Sequence, residues 1–334
     1  MLGNSKLKRR AVTIPAVFFA AVVLLLLIPI WLVLAVAFDV VRLRKRLPTA
    51  RLMTFALWWA WLEVAGIAGS AGLFVIGQAG NQTLHYRFQR WWAKQLLIAL
   101  KTTTGLSITC ENAALLQPGP VILLTRHASL ADSLVTASTV LEAGCVPRFV
   151  LKRDLISDPC LDIFGHRLPN YFLNREATDT TKELASITAL SGGMASNTVA
   201  IIFPEGTRSN DQKRQRAIEK IGERDPDRAV KVASLQHLLP PRPAGTIALM
   251  AGAPDADVVI AWHVGFDGLD TFSGILSHLK STPPPVRFVL RRIDRSTVPS
   301  EPDALAAWLD DVWLDSDRFV HQALAAQPKS KDQK

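Results

Sequence analysis

The sequence predicts an α/β fold, in which a mixed, largely parallel sheet is flanked by helices and follows an N-terminal two-helix membrane anchor. Beyond about residue 95, short apolar runs alternate with helix-length segments, as in proteins that pack helices against a largely parallel sheet. Before that point the chain holds two long apolar runs, each long enough to reach into or across a bilayer. The 49% content of hydrophobic residues and the mean hydropathy of +0.19 fit one anchor joined to one globular body.

Charge separates the anchor from the rest of the chain. Residues 1–101 carry 13 Lys and Arg against two acidic residues, a net charge of +11, whereas the remainder carries 25 basic and 27 acidic residues. Because the positive charge belongs to the anchor, it predicts contact with anionic lipid at a membrane surface and argues against a nucleic-acid partner. We therefore expect membrane-anchoring helices with basic flanks over residues 1–94, an α/β domain over residues 95–326, and a disordered tail over residues 327–334.

The first apolar run, Ala11–Phe38, has 28 residues without a charge and follows a basic start. About 20 apolar residues suffice to cross the bilayer core, so this run is long enough to span it with tilt. A secretory signal peptide would share the basic start. The run is too long for one, however, and no small-residue cleavage site precedes the basic cluster Arg42–Arg46, so we expect an uncleaved anchor.

The second apolar run, Leu52–Ile76, is a weaker candidate for a span because it contains Glu63. A carboxylate at the bilayer centre costs on the order of 2.5–3.5 kcal/mol on insertion scales. Two full spans would also place the basic residues of 42–51 on the far side of the membrane, against the positive-inside tendency. A helical hairpin that dips into one leaflet avoids both problems, and we favour it over two spans.

Secondary structure in the α/β domain follows from the spacing of the apolar runs. Short runs rich in Val, Ile and Leu predict strands, and longer segments of mixed polarity predict helices. The predicted strands are Val121–Thr125, Arg148–Leu151, Tyr171–Leu173, Thr198–Phe203, Val258–Val264 and Val286–Arg291. The predicted helices are Leu130–Ala143, Thr180–Met194, Asp211–Glu223, Gly245–Ala251 and Asp303–Leu324. The charged segment Ser209–Leu238 predicts a helical insertion at the surface.

Three cysteines, Cys110, Cys145 and Cys160, are widely spaced and have no histidine at metal-binding spacing. An odd number of scattered cysteines predicts reduced thiols in a cytosol-facing domain rather than a disulfide framework or a metal site. We therefore expect the domain to work without a metal ion.

Two of the predicted strands are followed by segments whose residue types suit catalysis or ligand binding. His127 follows the strand Val121–Thr125, and Asp132 comes five residues later, across a loop that enters a helix, where its carboxylate can turn back to the imidazole. Histidine is the side chain whose unperturbed pKa lies nearest neutrality, which suits a general base. The alternative for this pair is a helix N-terminus with a capping histidine, since the spacing alone is common by chance.

The second segment, Phe203–Ser209, reads Phe-Pro-Glu-Gly-Thr-Arg-Ser and follows an apolar strand. It combines a rigid Pro204, a flexible Gly206, a carboxylate and an arginine. A strand that ends in such a turn presents backbone N–H groups and a guanidinium at the edge of a sheet, which suits a phosphate. A run of this many specified residues does not recur by accident, so this segment is the more specific of the two.

Together, Arg126–Asp132, which reads Arg-His-Ala-Ser-Leu-Ala-Asp, and Phe203–Ser209 resemble the glycerolipid acyltransferase family, most strongly over residues 119–250. The best-known members of that family make phosphatidic acid from lysophosphatidic acid. The resemblance implies that His127 is the base that deprotonates the acceptor hydroxyl and that Asp132 orients it. It implies that the acceptor phosphate is bound by Glu205, Gly206, Thr207 and Arg208.

A weaker part of the resemblance lies in Pro169–Arg175, which is similar to the family's second motif, Gly-x-x-Phe-Ile-x-Arg. Phe172 and Arg175 match that motif, whereas Pro169 stands where the family has glycine. The resemblance makes Phe172 and Arg175 substrate-binding residues. Lys152 lies in a stretch similar to the Lys-Lys-Glu-Leu that often precedes this motif, and it is either a further phosphate ligand or a surface lysine.

Three further features bear on the resemblance. Leu238–Pro241 is the candidate for the family's proline-bearing fourth motif. Arg126 stands where many members have asparagine, which marks a subfamily or a different acceptor headgroup. Ser129 could act as a nucleophile through an acyl-enzyme, but the family transfers the acyl chain directly, so we expect Ser129 to support the turn or the substrate.

The resemblance implies a membrane-bound acyltransferase that moves a fatty acyl chain from acyl-CoA, or from acyl carrier protein, to the sn-2 hydroxyl of lysophosphatidic acid. The thioester is the co-substrate, and no other cofactor is expected. The implied partners are a lysophospholipid acceptor, the acyl donor and the bilayer. We expect the catalytic domain to face the cytosol at a bacterial inner membrane.

Two alternatives stay open. The acceptor could be another lysophospholipid, such as lysophosphatidylinositol or lysophosphatidylglycerol, since nothing in the motifs selects the headgroup. From a different class, the chain could be a non-catalytic membrane adaptor that keeps the fold. The adaptor is disfavoured because nothing structural requires all four of His127, Asp132, Glu205 and Arg208.

Overall fold

The computed structural model describes residues 6–176 and 179–327, apart from the side chain of Phe272. The predicted tail 327–334 therefore lies outside the described residues, except for Gln327. The chain forms two compact units. The first comprises residues 1–106, 151–176 and 279–283, and the second comprises residues 107–150, 177–278 and 284–334.

Helices and strands are numbered in chain order over the described residues. The helices are α1 (Lys6–Leu26), α2 (Ile28–Val41), α3 (Pro48–Val75), α4 (Gln82–Thr104), α5 (Asp132–Glu142), α6 (Pro159–Gly165), α7 (Thr180–Ser191), α8 (Asp211–Gly222), α9 (Pro226–Val232), α10 (Pro243–Gly252), α11 (Phe272–His278) and α12 (Pro302–Ala325). The strands are β1 (Ile108–Glu111), β2 (Val121–Thr125), β3 (Val146–Lys152), β4 (Tyr171–Leu173), β5 (Thr198–Ile202), β6 (Asp257–Val264) and β7 (Val286–Ile293).

The strands form one mixed sheet in the order β1-β7-β6-β2-β5-β3-β4. β2 lies at its centre and pairs in parallel with β5 and β6, while β6 and β7 are antiparallel. Every residue of β2 and of β5 is buried, which is why both strands read as unbroken apolar runs in the sequence. The predicted α/β fold with a mixed, largely parallel sheet is confirmed.

The register brings the two motif-bearing strands to the same edge of the sheet. Leu124 of β2 lies opposite Ile202 of β5, so the carboxyl ends of both strands meet. β6 also runs parallel to β2, with Thr125 opposite Ala261, and ends nearby. Segments that follow these three strands therefore converge outside the carboxyl ends, where α/β sheets hold their ligands.

The predicted elements agree with the observed ones to within three residues at each end, and β2 and β4 agree completely. No predicted strand covers β1, because this strand has only four residues and two of them are exposed. No predicted helix covers α6, and α9 falls only within the predicted helical insertion Ser209–Leu238, because both helices are too short for a helical period to show. The available signal was their start, where an aspartate caps the helix and a proline follows.

In the first unit, the N-terminal apolar run is broken at Leu27 into α1 and α2. Pro29 in the first turn of α2 accounts for the break, because proline has no N–H to donate to the preceding turn. α1 and α3 are long and apolar enough to cross a membrane by length and composition, which suggests membrane association.

Glu63, the carboxylate that weakens the second run as a span, is fully buried in α3. Its Oε2 accepts a hydrogen bond of 3.3 Å from the amide of Cys160 at the start of α6. Gly66 allows this close approach, because a Cβ there would lie 2.3 Å from the sulfur of Cys160. The side of α3 that carries Glu63 therefore contacts protein of its own unit rather than lipid.

Candidate active site

His127 lies just beyond β2, and its imidazole contacts Asp132. Nδ1 of His127 lies 3.0 Å from Oδ2 of Asp132. An ionised carboxylate only accepts hydrogen bonds, so Nδ1 carries a proton and Nε2 is left with its lone pair. Since 22% of the His127 side chain is exposed, the ring is accessible to a substrate. The arrangement is that of a general base with its orienting carboxylate.

Asp132 begins α5 and is fully buried. Its Oδ2 also accepts the amides of Ala128 at 2.6 Å and Ser129 at 2.7 Å, and its Oδ1 accepts the hydroxyl of Ser129. Burial alone would raise the pKa of this carboxyl, but the imidazoles of His263 and His127 outweigh burial and hold the pKa of Asp132 below its usual range. The carboxylate is therefore ionised and held in one orientation.

The hydroxyl of Ser129 is committed to this carboxylate. Ser129 is almost fully buried, donates to Asp132 and accepts the amide of Ala131 at 3.1 Å. A hydroxyl with both roles filled cannot also face His127 as a nucleophile. The geometry therefore favours a role for Ser129 in the turn.

Strand β6 brings a second histidine to Asp132. Nε2 of His263 lies 3.3 Å from Oδ1 of Asp132. The carbonyl of His263 accepts a hydrogen bond from Nη1 of Arg126, whose Nη2 binds Asp267 at 2.5 Å. The role of His263 is not evident from the sequence, because this histidine lies in an apolar run that is typical of a strand. The available signal was that it is the one ionisable residue in the run Val258–Val264.

Glu205 ties the two motifs together. Its Oε1 accepts the amide of His127 at 2.7 Å, and its Oε2 accepts the amide of Leu239 at 3.0 Å. The amide of Ser209 donates in turn to the carbonyl of His127 at 2.7 Å. Burial raises the pKa of Glu205 to about 8, against the lowering effect of the two amides and of Arg126. A direct contact of Glu205 with substrate stays a prediction.

The turn after β5 offers groups that bind anions. Gly206 has a φ of +72°, a left-handed conformation that glycine adopts without strain, and its amide donates to the carbonyl of Phe203 at 2.9 Å. Among the described residues, the half-buried side chain of Arg208 has no ion pair or hydrogen bond, and the amides of Thr207 and Arg208 have no partner. A guanidinium and two amides are therefore available to a phosphate.

The proline-bearing segment Leu238–Pro241 supports this turn. Leu239 binds Glu205 through its amide, and the amide of Arg242 donates to the carbonyl of Pro204 at 2.9 Å. A Cβ on the glycine of the turn would lie 3.2 Å from Cδ of Arg242, closer than nearly all real contacts. The candidate fourth motif therefore lies against the turn 203–209.

Comparison with known proteins shows which family shares these motifs. Residues 107–261 match the protein-family model described as Acyltransferase. This domain belongs to the acyltransferase family. Over 305 residues the chain is 24% identical to 1-acyl-sn-glycerol-3-phosphate acyltransferase epsilon of Mus musculus, and the alignment covers 86% of this chain and 80% of that protein. The resemblance to glycerolipid acyltransferases is confirmed at this level.

A solved structure is also similar to the chain. It is the crystal structure of the 1-acyl-sn-glycerophosphate (LPA) acyltransferase PlsC from Thermotoga maritima, with a TM-score of 0.46 and 16% sequence identity. The superposition covers 80% of this chain and 97% of that one. The matched domain is of a family that acts in lipid metabolism, and the chain is distantly similar to 1-acyl-sn-glycerol-3-phosphate acyltransferases. Membership implies an acyl donor and a lipid acceptor.

A cavity of about 260 Å³ lies beside the motifs of the acyltransferase domain. Arg126 and Ala128, which flank His127, form part of its wall. Further polar residues in the wall are Ser209, Asn210, Asp211, Arg214, Gln236, His237, Asp267 and Asp270. A cavity with so many polar groups suits a hydroxyl-bearing or charged group better than an acyl chain.

Three of the predicted substrate ligands belong to the first unit. The side chain of Lys152 is half exposed and pairs with Asp154. The ring of Phe172 stacks on His166 with 4.9 Å between centroids, and Arg175 is exposed after β4. The binding of substrate by Lys152, Phe172 and Arg175 stays a prediction.

The described side chains contain no group of three or more His, Cys, Asp or Glu that could hold a metal ion. Cys110, Cys145 and Cys160 are free thiols, and the last two are buried.

Proposed function

We propose that the protein transfers a fatty acyl chain from acyl-CoA, or from acyl carrier protein, to the sn-2 hydroxyl of lysophosphatidic acid and so forms phosphatidic acid. The observation that carries the proposal is the His127–Asp132 pair, held by backbone hydrogen bonds against the anion-binding turn 203–209. A base beside such a turn suits an acceptor with a hydroxyl and a phosphate close together. Lysophosphatidic acid is the simplest lipid of that kind.

His127 acts in this mechanism as a general base. Its Nε2 takes the proton of the acceptor hydroxyl while the hydroxyl oxygen attacks the carbonyl carbon of the thioester, and the carbon–sulfur bond then breaks. The leaving thiolate takes the proton from the imidazolium, which restores the neutral histidine. Asp132 keeps the imidazole in the required tautomer and stabilises its positive charge.

Arg208 and the amides of the turn bind the acceptor phosphate in this proposal. Hydrogen bonds between a guanidinium and a phosphate are charge-assisted and therefore stronger than neutral ones. Gly206 and Glu205 keep the turn in the shape that presents these donors. We assign Lys152, Phe172 and Arg175 to the same substrate on the strength of their motif alone.

The decisive assay gives the purified protein labelled oleoyl-CoA, or oleoyl-acyl carrier protein, and a panel of lysophospholipids. We expect lysophosphatidic acid to be the best acceptor and His127→Ala to lose about 100- to 10,000-fold of kcat, the range that general base catalysis supplies. His321→Ala removes an exposed histidine outside the motifs and should retain activity. Absence of transfer to any acceptor, or undiminished transfer by His127→Ala, would contradict the proposal.

The polar cavity favours a second candidate acceptor, a lysophospholipid with a polyol headgroup such as lysophosphatidylinositol or lysophosphatidylglycerol. Asp267 and Asp270 bring carboxylates to the wall of the cavity, and Asn210 brings an amide. Headgroup hydroxyls can donate to these oxygens. Transfer confined to a polyol headgroup in the same panel would replace the proposed substrate and keep the mechanism.

We also propose that the domain faces the cytosol, because both thioester donors are made there. α1 and α3 are apolar enough to hold it at a membrane, for which we propose a bacterial inner membrane. Fractionation should therefore recover the protein with inner membranes. Recovery in the soluble fraction would contradict this placement.

A further inference from the structure

His263 is a buried imidazole that the mechanism above does not use. Its ring stacks on Phe288 with 6.1 Å between centroids and meets Phe266 edge-on at 5.4 Å. Nε2 lies 3.3 Å from Oδ1 of Asp132, within ion-pair distance, and within the described residues neither ring nitrogen has a hydrogen bond of good geometry. A polar ring that is removed from water needs a compensating interaction, and Asp132 is the charged group within its reach.

We infer that His263 is a positioning residue that donates from Nε2 to Oδ1 of Asp132 and so holds the carboxylate whose other oxygen orients His127. The inference rests on the proposed function in one respect, that His127 is the base. Oδ2 of Asp132 faces His127 and two backbone amides, while Oδ1 faces His263 and the hydroxyl of Ser129. Donors on both oxygens stop the carboxylate from rotating away from the base.

The contact has an electrostatic consequence. A donor on Oδ1 withdraws charge from the carboxylate and weakens its attraction for the imidazolium of His127. Removal of the donor from His263 therefore stabilises that imidazolium, and the acid limb of the pH–rate profile moves to higher pH. The direction is the same if His263 is itself protonated, because a neighbouring positive charge also opposes the imidazolium.

Three other charged groups lie near this pair, and none of them hydrogen-bonds the ring of His263 among the described residues. Arg126, at the end of β2, and Asp267, after β6, pair with each other, and Arg126 reaches the backbone carbonyl of His263 rather than its ring. Glu205, after β5, binds the amide of His127. A shift of the acid limb can therefore be attributed to the contact with Asp132.

The experiment compares a variant that loses the donor with one that keeps it. His263→Phe retains a flat ring beside Phe266 and Phe288 but has no N–H, whereas His263→Gln retains a donor. We expect His263→Phe to lower kcat and to move the acid limb of kcat/KM upward by about 0.5 to 1 pH unit, while His263→Gln stays close to wild type. His263→Met is a second donor-free variant in case the ring substitution prevents folding, and His321→Ala is the control for an exposed histidine.

A second readout does not depend on turnover. Diethylpyrocarbonate reacts with neutral imidazole, so the pH dependence of its reaction at His127, followed by peptide mass spectrometry, reports the imidazolium directly. The midpoint pH of this reaction at His127 should rise in His263→Phe and His263→Met and stay unchanged in His263→Gln. An unmoved midpoint in the donor-free variants would overturn the inference. A moved midpoint in a protein without transferase activity would sustain the inference and refute the proposed function.

Discussion

Among single residues, Asp132 and Glu205 show that burial alone does not set the charge of a carboxyl group. Both are buried at the carboxyl edge of the sheet, yet the pKa of Asp132 lies below its usual range and the pKa of Glu205 is raised to about 8. Asp132 has two imidazoles within reach, whereas the oxygens of Glu205 are bound to backbone amides. One carboxylate therefore stays ionised beside the base, and the other exchanges a proton near neutral pH.

Glu205 should make the stability of the fold depend on pH. A glutamate in the unfolded chain titrates near about 4.3, and burial raises the pKa of Glu205 to about 8 in the folded protein. Between these values the folded state binds a proton that the unfolded state lacks, so the contribution of Glu205 to the free energy of unfolding falls as pH rises from about 4.3 to about 8. Glu205→Gln cannot ionise and should lose this part of the pH dependence.

The melting temperatures of wild type and Glu205→Gln, measured from about pH 6 to about pH 9, check this expectation. At about pH 6 the melting temperature of Glu205→Gln should lie below that of wild type, because the NH₂ group of the glutamine faces a backbone donor. The difference between the two melting temperatures should narrow as the pH rises. The melting temperature of Glu219→Gln, a substitution on an exposed part of α8, should depend on pH in the same way as that of wild type. A gap that stays constant between wild type and Glu205→Gln would show that Glu205 does not titrate in this range.

Arg208 should act on the phosphate rather than on the chemical step. A hydrogen bond to a charged group is worth about 1.5–3 kcal/mol, so Arg208→Ala should lower kcat/KM for lysophosphatidic acid about 10- to 100-fold. Arg216→Ala, on an exposed part of α8, is the matched control and should have little effect. An equal loss with a neutral monoacylglycerol acceptor would contradict the assignment of Arg208 to the phosphate.

At the scale of elements, one carboxylate holds α1 and α6 together. Asp162 is fully buried and accepts hydrogen bonds from Arg9 at 2.7 Å and from Arg10 at 2.8 Å. Nδ1 of His166 lies 3.1 Å from its Oδ1. The basic start of α1, from which the sequence predicts contact with anionic lipid, thus has two of its arginines paired within its own unit.

Asp162→Asn should therefore be strongly destabilising. It leaves the buried guanidinium of Arg9 without a counter-charge, and removal of one partner from a buried pair costs about 3–5 kcal/mol. Asp154→Asn is the matched control, because the Lys152–Asp154 pair is exposed and should contribute about 0–1 kcal/mol. Thermal unfolding in detergent measures both, and equal melting temperatures for the two variants would contradict the expectation.

α3 has polar partners from its own unit at two points. Nε of Arg51 donates to the carbonyl of Thr103 at 2.6 Å, and Nη1 of Arg167 donates to the carbonyl of Ser70 at 2.7 Å. Arg51 and Ser70 are about 28 Å apart along the helix, close to the ~30 Å thickness of the hydrocarbon core. Protein partners at both points tie α3 to its own unit, and the hairpin rather than two spans stays a prediction.

For the molecule as a whole, the hairpin predicts where the loop between α2 and α3 lies. Leu43 of this loop is 87% exposed. In the hairpin it is on the same side of the membrane as Cys110, an exposed cysteine of the acyltransferase domain, whereas two spans separate the two residues. In the hairpin, an impermeant maleimide should therefore label both the cysteine of Leu43→Cys and Cys110 in inverted vesicles, and neither of them in intact cells.

Controls for this labelling lie within the chain. Buried Cys145 should stay unlabelled under both conditions, and a Cys110→Ser background isolates the signal of Leu43→Cys. Labelling of Leu43→Cys in intact cells, with Cys110 unlabelled, would establish two spans instead.

The sequence by itself determined the features that depend on neighbouring residues. β2 and β5 were predictable because a strand buried on both faces is a run of apolar residues, and the polar segments that follow them are adjacent in the chain. The pairing of His127 with Asp132 was predictable for the same reason, since a short loop joins them.

Only the tertiary structure decided the contacts between residues far apart in the chain. Arg9 and Asp162 are separated by 153 positions, and Arg126 and His263 by 137. In the sequence alone, His263 looks like an ordinary strand residue and Glu63 like a charge in an apolar run. The contact of His263 with Asp132, and that of Glu63 with the amide of Cys160, appear only in the folded structure. Which groups meet depends on which strands lie side by side and which helices pack together, and that is a property of the packing of the whole chain rather than of any local pattern.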